Sequence, residues 1–118
     1  MERLSWHEPS DPRVGILEAR LSGLRLRVVA PARAIRTESE SYLAWVDAFR
    51  RTFTAPDAHA SLDSAKRAAV ELALEVVMAE QDRVRRRLER APAPLLEEDL
   101  QTLNELLLAL LREAERSA

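Results

Sequence analysis

The chain has 118 residues, with 18 Lys and Arg against 20 Asp and Glu, no Cys, two Gly, two His and five aromatic residues. That length fits one domain, the apolar content of 47% is too high for a disordered chain, and the longest apolar run, Leu106 to Leu111, is too short to cross a bilayer. The lack of Cys excludes a disulfide framework, a thiolate metal site and a thiol nucleophile, and Gly15 and Gly23 alone cannot build a phosphate-cradling loop.

Met1-Glu2-Arg3 is not followed by the apolar stretch of a secretory signal, so a reducing, cytoplasmic setting is expected. Residues 1–13 read as an irregular lead-in, with Pro9, Pro12 and scattered charge and no periodicity; it stays mobile unless Trp6 docks. Residues 14–118 read as a single domain. Folding Val14 to Val29 back about Ser22-Gly23 aligns Leu21 with Leu24, Ala19 with Leu26 and Leu17 with Val28 on a wholly apolar face. The opposite face pairs Glu18 with Arg27 and sets Arg20 against Arg25. A β-hairpin over 14–30 follows. Its rival is a short helix, because Asp11-Pro12 is a start signal and Gly23 a stop signal. The alternation of LRLRVV favours the hairpin.

Thr37-Glu38-Ser39-Glu40 has the spacing of a capping box, and Tyr42, Trp45, Val46, Phe49 and Phe53 recur at three and four residues. The spacing predicts a helix over 38–53 with an aromatic stripe toward the core and Arg50 and Arg51 at its C-terminal end. A loop, TAPDAHA, leads to Ser61 and Asp63, which open a long periodic segment that ends near Arg90, before Pro92 and Pro94. This helix over 61–90 is roughly 45 Å long. A final helix over 95–116 carries Leu96, Leu100, Leu103, Leu107, Leu110 and Ala114 in a four-three alternation, a heptad seam that calls for a partner helix. The short connector makes the preceding helix that partner, folded back antiparallel. The expected fold is α+β and predominantly helical: an N-terminal β-hairpin followed by three helices, with an all-α bundle as the alternative.

Three features bear on function. The first is Arg83, Arg85, Arg86, Arg87 and Arg90, five cations in eight residues, of which Arg83, Arg86, Arg87 and Arg90 share an arc of about 100°. Arginine forks match phosphate oxygens; yet cations at one helix end and Glu97, Glu98 and Asp99 at the start of the next also complement the helix dipoles and could pair with each other. This second account is favoured. The next feature is the basic stretch Arg13 to Arg36, whose six arginines are opposed only by Glu18; Arg25 and Arg27 on the hairpin are candidate phosphate contacts. The absence of Asn, Gln or interleaved aromatics weighs against base reading.

The last is the leucine surplus of the final helix. Leu95, Leu106, Leu108 and Leu111 widen the apolar arc beyond what one neighbouring helix covers. Leu96, Leu103, Leu106, Leu108, Leu110 and Leu111 are the candidate oligomer interface. His7 and His59 lie far apart, and no carboxylate or His spacing matches a metal site. The sequence therefore predicts a non-enzymatic, cofactor-free interaction or assembly protein. Its expected partner is a second copy, most simply in a dimer, or another helical protein. A nucleic-acid accessory protein using Arg25, Arg27, Arg83, Arg86, Arg87 and Arg90 is the second reading, and no membrane role is expected.

Overall fold

The computed structural model describes residues 4–11, 15–29 and 41–117. Four strands, β1 (Leu17–Leu21), β2 (Leu24–Val29), β3 (Leu43–Ala48) and β4 (Arg51–Thr54), precede two helices, α1 (Leu62–Arg90) and α2 (Pro94–Ser117). The strands form one antiparallel sheet in sequence order. The α+β class holds, and the sheet excludes the all-α alternative.

The first hairpin has the register read from the sequence, with Leu17 opposite Val28, Ala19 opposite Leu26 and Leu21 opposite Leu24. From Leu43 onward the helix expected over 38–53 is replaced by strands, so the described residues hold two helices rather than three. From Leu43 to Ala48 exposure alternates with a period of two: Ala44, Val46 and Ala48 are buried, while Leu43, Trp45 and Asp47 are less so. A helix would place Trp45 and Val46 on one stripe, whereas the strand sends them to opposite faces. The three-and-four spacing of the aromatics was coincidental; the residue types, aromatic and β-branched, suit a pleated surface. Phe53 faces Val46 across the β3–β4 ladder. The capping-box residues Thr37 to Glu40 lie outside the described residues.

Phe49 and Arg50 are the two-residue turn between β3 and β4, with φ of 54° and 63°. Positive φ at both positions is the mark of a type I′ hairpin turn, which usually carries Asn and Gly. Arg50 and Arg51 therefore sit at a strand turn rather than at a helix end.

On the inner face of the sheet Leu21, Leu24, Leu26, Ala44 and Val46 form one apolar core with Ala69, Ala73, Val76 and Val77 of α1, and Ala19, Val28 and Ala65 are buried as well. α1 packs on β2 and β3 with one side and on α2 with another. Its alanines let the helix approach the sheet closely. Ser61 caps α1, its hydroxyl accepting from the Ser64 N–H, as its position before the periodic segment predicted. Just before the cap, His59 and Tyr42 exchange backbone hydrogen bonds at 2.8 Å, and His59 Nδ1 lies 2.7 Å from Ser64 Oγ. The seam residues Leu96, Leu100, Leu103, Leu107, Leu110 and Ala114 are all buried or half-buried, as a folded-back pair requires. Gln81 Nε2 donates to Asn104 Oδ1 at 2.6 Å and sets the level of the two helices. Residues 4–7 of the N-terminal lead-in dock: His7 and Glu18 exchange backbone hydrogen bonds of 2.9 and 2.8 Å along the edge of β1, Leu4 and Trp6 pack against the core, and Lys66 Nζ sits 6.0 Å from the centre of the Trp6 ring.

Candidate interaction surfaces

The outer face of the sheet collects the polar residues of the strands. Register aligns Glu18, Arg27, Trp45 and Thr54 in one row and Arg20, Arg25, Asp47 and Thr52 in the next. Asp47 is the hub: Arg25 Nε donates to its Oδ2 at 2.9 Å, Arg27 Nη2 to its Oδ1 at 3.0 Å and Thr52 Oγ1 to its Oδ1 at 2.7 Å. Arg27 Nε lies 2.8 Å from Asp47 Oδ2, close enough for ion pairing but out of line for a hydrogen bond. Burial alone would raise the Asp47 pKa; the hydrogen bonds from Thr52 and Arg25 and the charges of Arg27 and Arg25 outweigh it and hold the carboxyl below its ordinary 3.8.

Arg27 is 8% exposed, and its guanidinium carbon lies 5.0 Å from the centre of the Trp45 ring, a cation–π contact. Arg20 Nε and His7 Nε2 come within 3.8 and 3.9 Å of Glu18 Oε1. The apparent clash of Arg20 with Arg25 is thus resolved by a carboxylate for each. Arg25 and Arg27, proposed from the sequence as phosphate contacts, are engaged by their own Asp47. A helix over 38–53 gives Asp47 no alignment with Arg25; the β2–β3 register supplies it.

At the end of α1, Arg83 is bonded to Glu80 of its own helix and Arg86 Nη2 lies 2.9 Å from Asp82 Oδ2. Arg87 and Arg90 occupy the last turn of α1 and Glu97 the first turn of α2, the dipole placement favoured from sequence; the pairing that could accompany it is missing, since among the described residues no ion pair joins this cluster to Glu97, Glu98 or Asp99 across the proline turn and none engages Arg85, Arg87 or Arg90. From Arg85 to Asp99 only Leu88, Ala93 and Leu96 are even half-buried, so the tip of the helical hairpin overhangs the sheet. Where it does so, a hollow of about 270 Å³ opens between the β3–β4 turn and the helices, lined by Phe49, Val84, Leu96 and Leu103, with Arg87 and Asp99 also facing it.

The leucines of α2 divide into two groups. Leu103, Leu106 and Leu110 are buried in the chain's own core and Leu96 is half-buried against it, so these four have little surface to offer a partner. Leu108 and Leu111 are 54% and 43% exposed, and Leu95 is 74% exposed. Met78 of α1, 56% exposed, lies about one turn from Gln81 and is therefore level with Leu107 on the neighbouring helix. Met78 and Leu95 are not among the interface candidates read from sequence; their exposure follows from packing, which periodicity alone does not give.

Among the described residues no three His, Asp or Glu side chains converge as metal ligands, and no helix is long and apolar enough to cross a membrane. No family model, curated protein or solved structure matches the chain. Its surfaces are therefore read from their own chemistry.

Proposed function

We propose that this is a cytoplasmic, non-enzymatic assembly protein that self-associates through the exposed leucines of α2. The observation that carries the reading is that Leu108 and Leu111, with Met78 of α1, stand exposed on a helical hairpin whose other sides already bury a complete seam. Grouped apolar exposure of this kind marks protein interfaces, and a helical partner fits because the surface is the outside of a helix pair. Light scattering over a range of protein concentrations tests it: the mass should exceed one chain, and Leu108→Glu with Leu111→Glu should lower it. A single-chain mass throughout, or a mass that the double variant leaves unchanged, overturns the reading.

A second reading, a nucleic-acid accessory protein, is favoured by Arg85, Arg87, Arg90 and the turn residue Arg50, all exposed and outside any ion pair among the described residues. It requires binding that weakens steeply with salt, as counterion release dictates. A mobility-shift assay with duplex and single-stranded DNA and RNA at about 50 mM salt decides it; absence of any shift removes this reading.

A further inference from the structure

The overhanging tip of the helical hairpin carries a knob, a hollow and two opposite charge clusters side by side. The knob is Leu95, the most exposed large apolar residue described, at 74%. The hollow opens beside it, since Leu96, the next residue, is part of its lining. Buried Val84 and Leu103 form its floor and Phe49 one wall, with Phe49 held at φ 54°, a conformation that a bulky residue adopts at an energetic cost. At about 270 Å³ the hollow falls below the roughly 300–1,000 Å³ of small-molecule sites and suits one or two side chains. Arg87 on α1 and Asp99 on α2 line it, and Arg90 and the pair Glu97 and Glu98 follow within about one turn along the same helices, with no ion pair between the two sets.

We infer that this tip is a second self-association surface, on which another copy of the chain docks by a two-fold axis. Each Leu95 enters the hollow of the other copy, and Arg87 and Arg90 of one copy face Glu97 and Glu98 of the second. A two-fold interface must be complementary to itself, and a surface holding both knob and hollow, and both signs of charge, meets that requirement. A polyanion fits less well, because the acidic residues of α2 would face its phosphates. The surface is distinct from the one proposed above: Leu95 and Leu108 are about 20 Å apart along α2. A chain with two such surfaces grows past a dimer, into a closed tetramer or an extended chain.

The test isolates the tip by working in the full chain carrying Leu108→Glu and Leu111→Glu. Light scattering of that protein should give a mass of two chains, and adding Leu95→Glu should return it to one. In the same background Arg87→Glu/Arg90→Glu and Glu97→Arg/Glu98→Arg should each be single chains, while an equimolar mixture of the two recovers the two-chain mass. Raising salt from about 50 to about 500 mM shortens the screening length from roughly 14 to 4 Å and should weaken that mixed dimer. Circular dichroism confirms that each variant is folded; Leu95→Glu keeps the test decisive if reversing Glu97 and Glu98 frays the start of α2. A single-chain mass for the Leu108→Glu/Leu111→Glu protein at every concentration, or failure of the charge-reversed pair to associate, overturns the inference. If the unsubstituted protein still associates, such a result leaves the α2 reading standing; a monomeric unsubstituted protein removes both.

Discussion

Arg27 on β2 lies over the ring of its cross-strand partner Trp45 on β3, with its guanidinium 5.0 Å from the ring centre. The same guanidinium reaches along β3 to Asp47, so one cation joins an aromatic face to a carboxylate two residues away. Arg25 and Thr52 bring β2 and β4 to that carboxylate as well. Three strands are thereby tied on the face opposite the apolar core. This arrangement uses the planar fork and weak hydration of Arg, which Lys lacks.

The carboxylate of this network gives the fold an acid limit. The Asp47 pKa is below 3.8 in the folded chain, so its contribution to stability is complete above the unfolded value and is lost as pH falls through the lower folded value. Asp47→Asn should cost about 1–3 kcal/mol at pH 7, because it leaves Arg25 and Arg27 without their charge partner. The gap between variant and parent should close as pH falls through the lowered folded value, where the parent's carboxyl also becomes protonated. Urea unfolding at a series of pH values measures it; a gap independent of pH would mean that Asp47 acts by packing alone.

The turn between β3 and β4 predicts the opposite sign. Arg50 is exposed and has a φ of 63°, where an L side chain costs roughly 1–2 kcal/mol that Gly does not pay. Arg50→Gly should therefore stabilise the protein by about 1 kcal/mol, while Arg50→Val, β-branched at the same φ, should destabilise it. Thermal and urea unfolding of the two variants give the comparison, and equal stabilities would refute the strain argument. Phe49 at the same turn is a poorer place for the change, since its ring lines the hollow under the helical tip.

How far the sequence disclosed this fold depended on whether a pattern had one reading. The β1–β2 register was legible because folding back about Ser22-Gly23 allows only one alignment that puts Leu17, Ala19, Leu21, Leu24, Leu26 and Val28 on a single face. The two helices were legible from their length, caps and seam, over which coincidence averages out. Residues 43–54 were not: in so short a stretch Trp45, Val46, Phe49 and Phe53 satisfy a helical spacing, while the alternation of Ala44, Val46 and Ala48 is muted by alanine's weak hydrophobicity. The sheet's outer network depended on that segment, so Asp47 as the counter-charge of Arg25 and Arg27 could not be found first. Which leucines of α2 face outward was hidden for a different reason. Leu106, Leu108 and Leu111 all flank the seam, and only packing against the sheet and α1 decides that Leu106 is buried while the other two are exposed.

Gln81 is 4% exposed and donates from Nε2 to Asn104 Oδ1, a polar contact between the two helices. Removing only its partner leaves a buried amide unsatisfied, so Asn104→Leu should cost about 1–3 kcal/mol. Replacing both, Gln81→Leu with Asn104→Leu, should recover most of that loss, since an apolar pair needs no hydrogen bond. The coupling in a double-mutant cycle checks this. Additive losses in the two single variants would show that the hydrogen bond does not hold the helices level.

Gly15 marks the point where the chain enters the sheet. Ile16 N–H donates to the Val28 carbonyl at 2.8 Å, and this bond draws the backbone of residue 15 so close that a Cβ there would stand 2.9 Å from the same oxygen. The obstacle is the backbone of β2, an inner strand of the sheet, which cannot swing aside as a flexible side chain could. Gly15→Ala should thus break or lengthen the Ile16 bond and cost about 1–3 kcal/mol, the usual penalty for forcing an added carbon into a packed site. Gly23 provides the control: a Cβ there meets nothing within 4 Å, so Gly23→Ala should cost measurably less. Hydrogen exchange locates the effect, because the clash predicts faster exchange at the Ile16 amide in Gly15→Ala. Equal losses at the two glycines, or an Ile16 amide as protected as before, would show that the entry to β1 yields without cost.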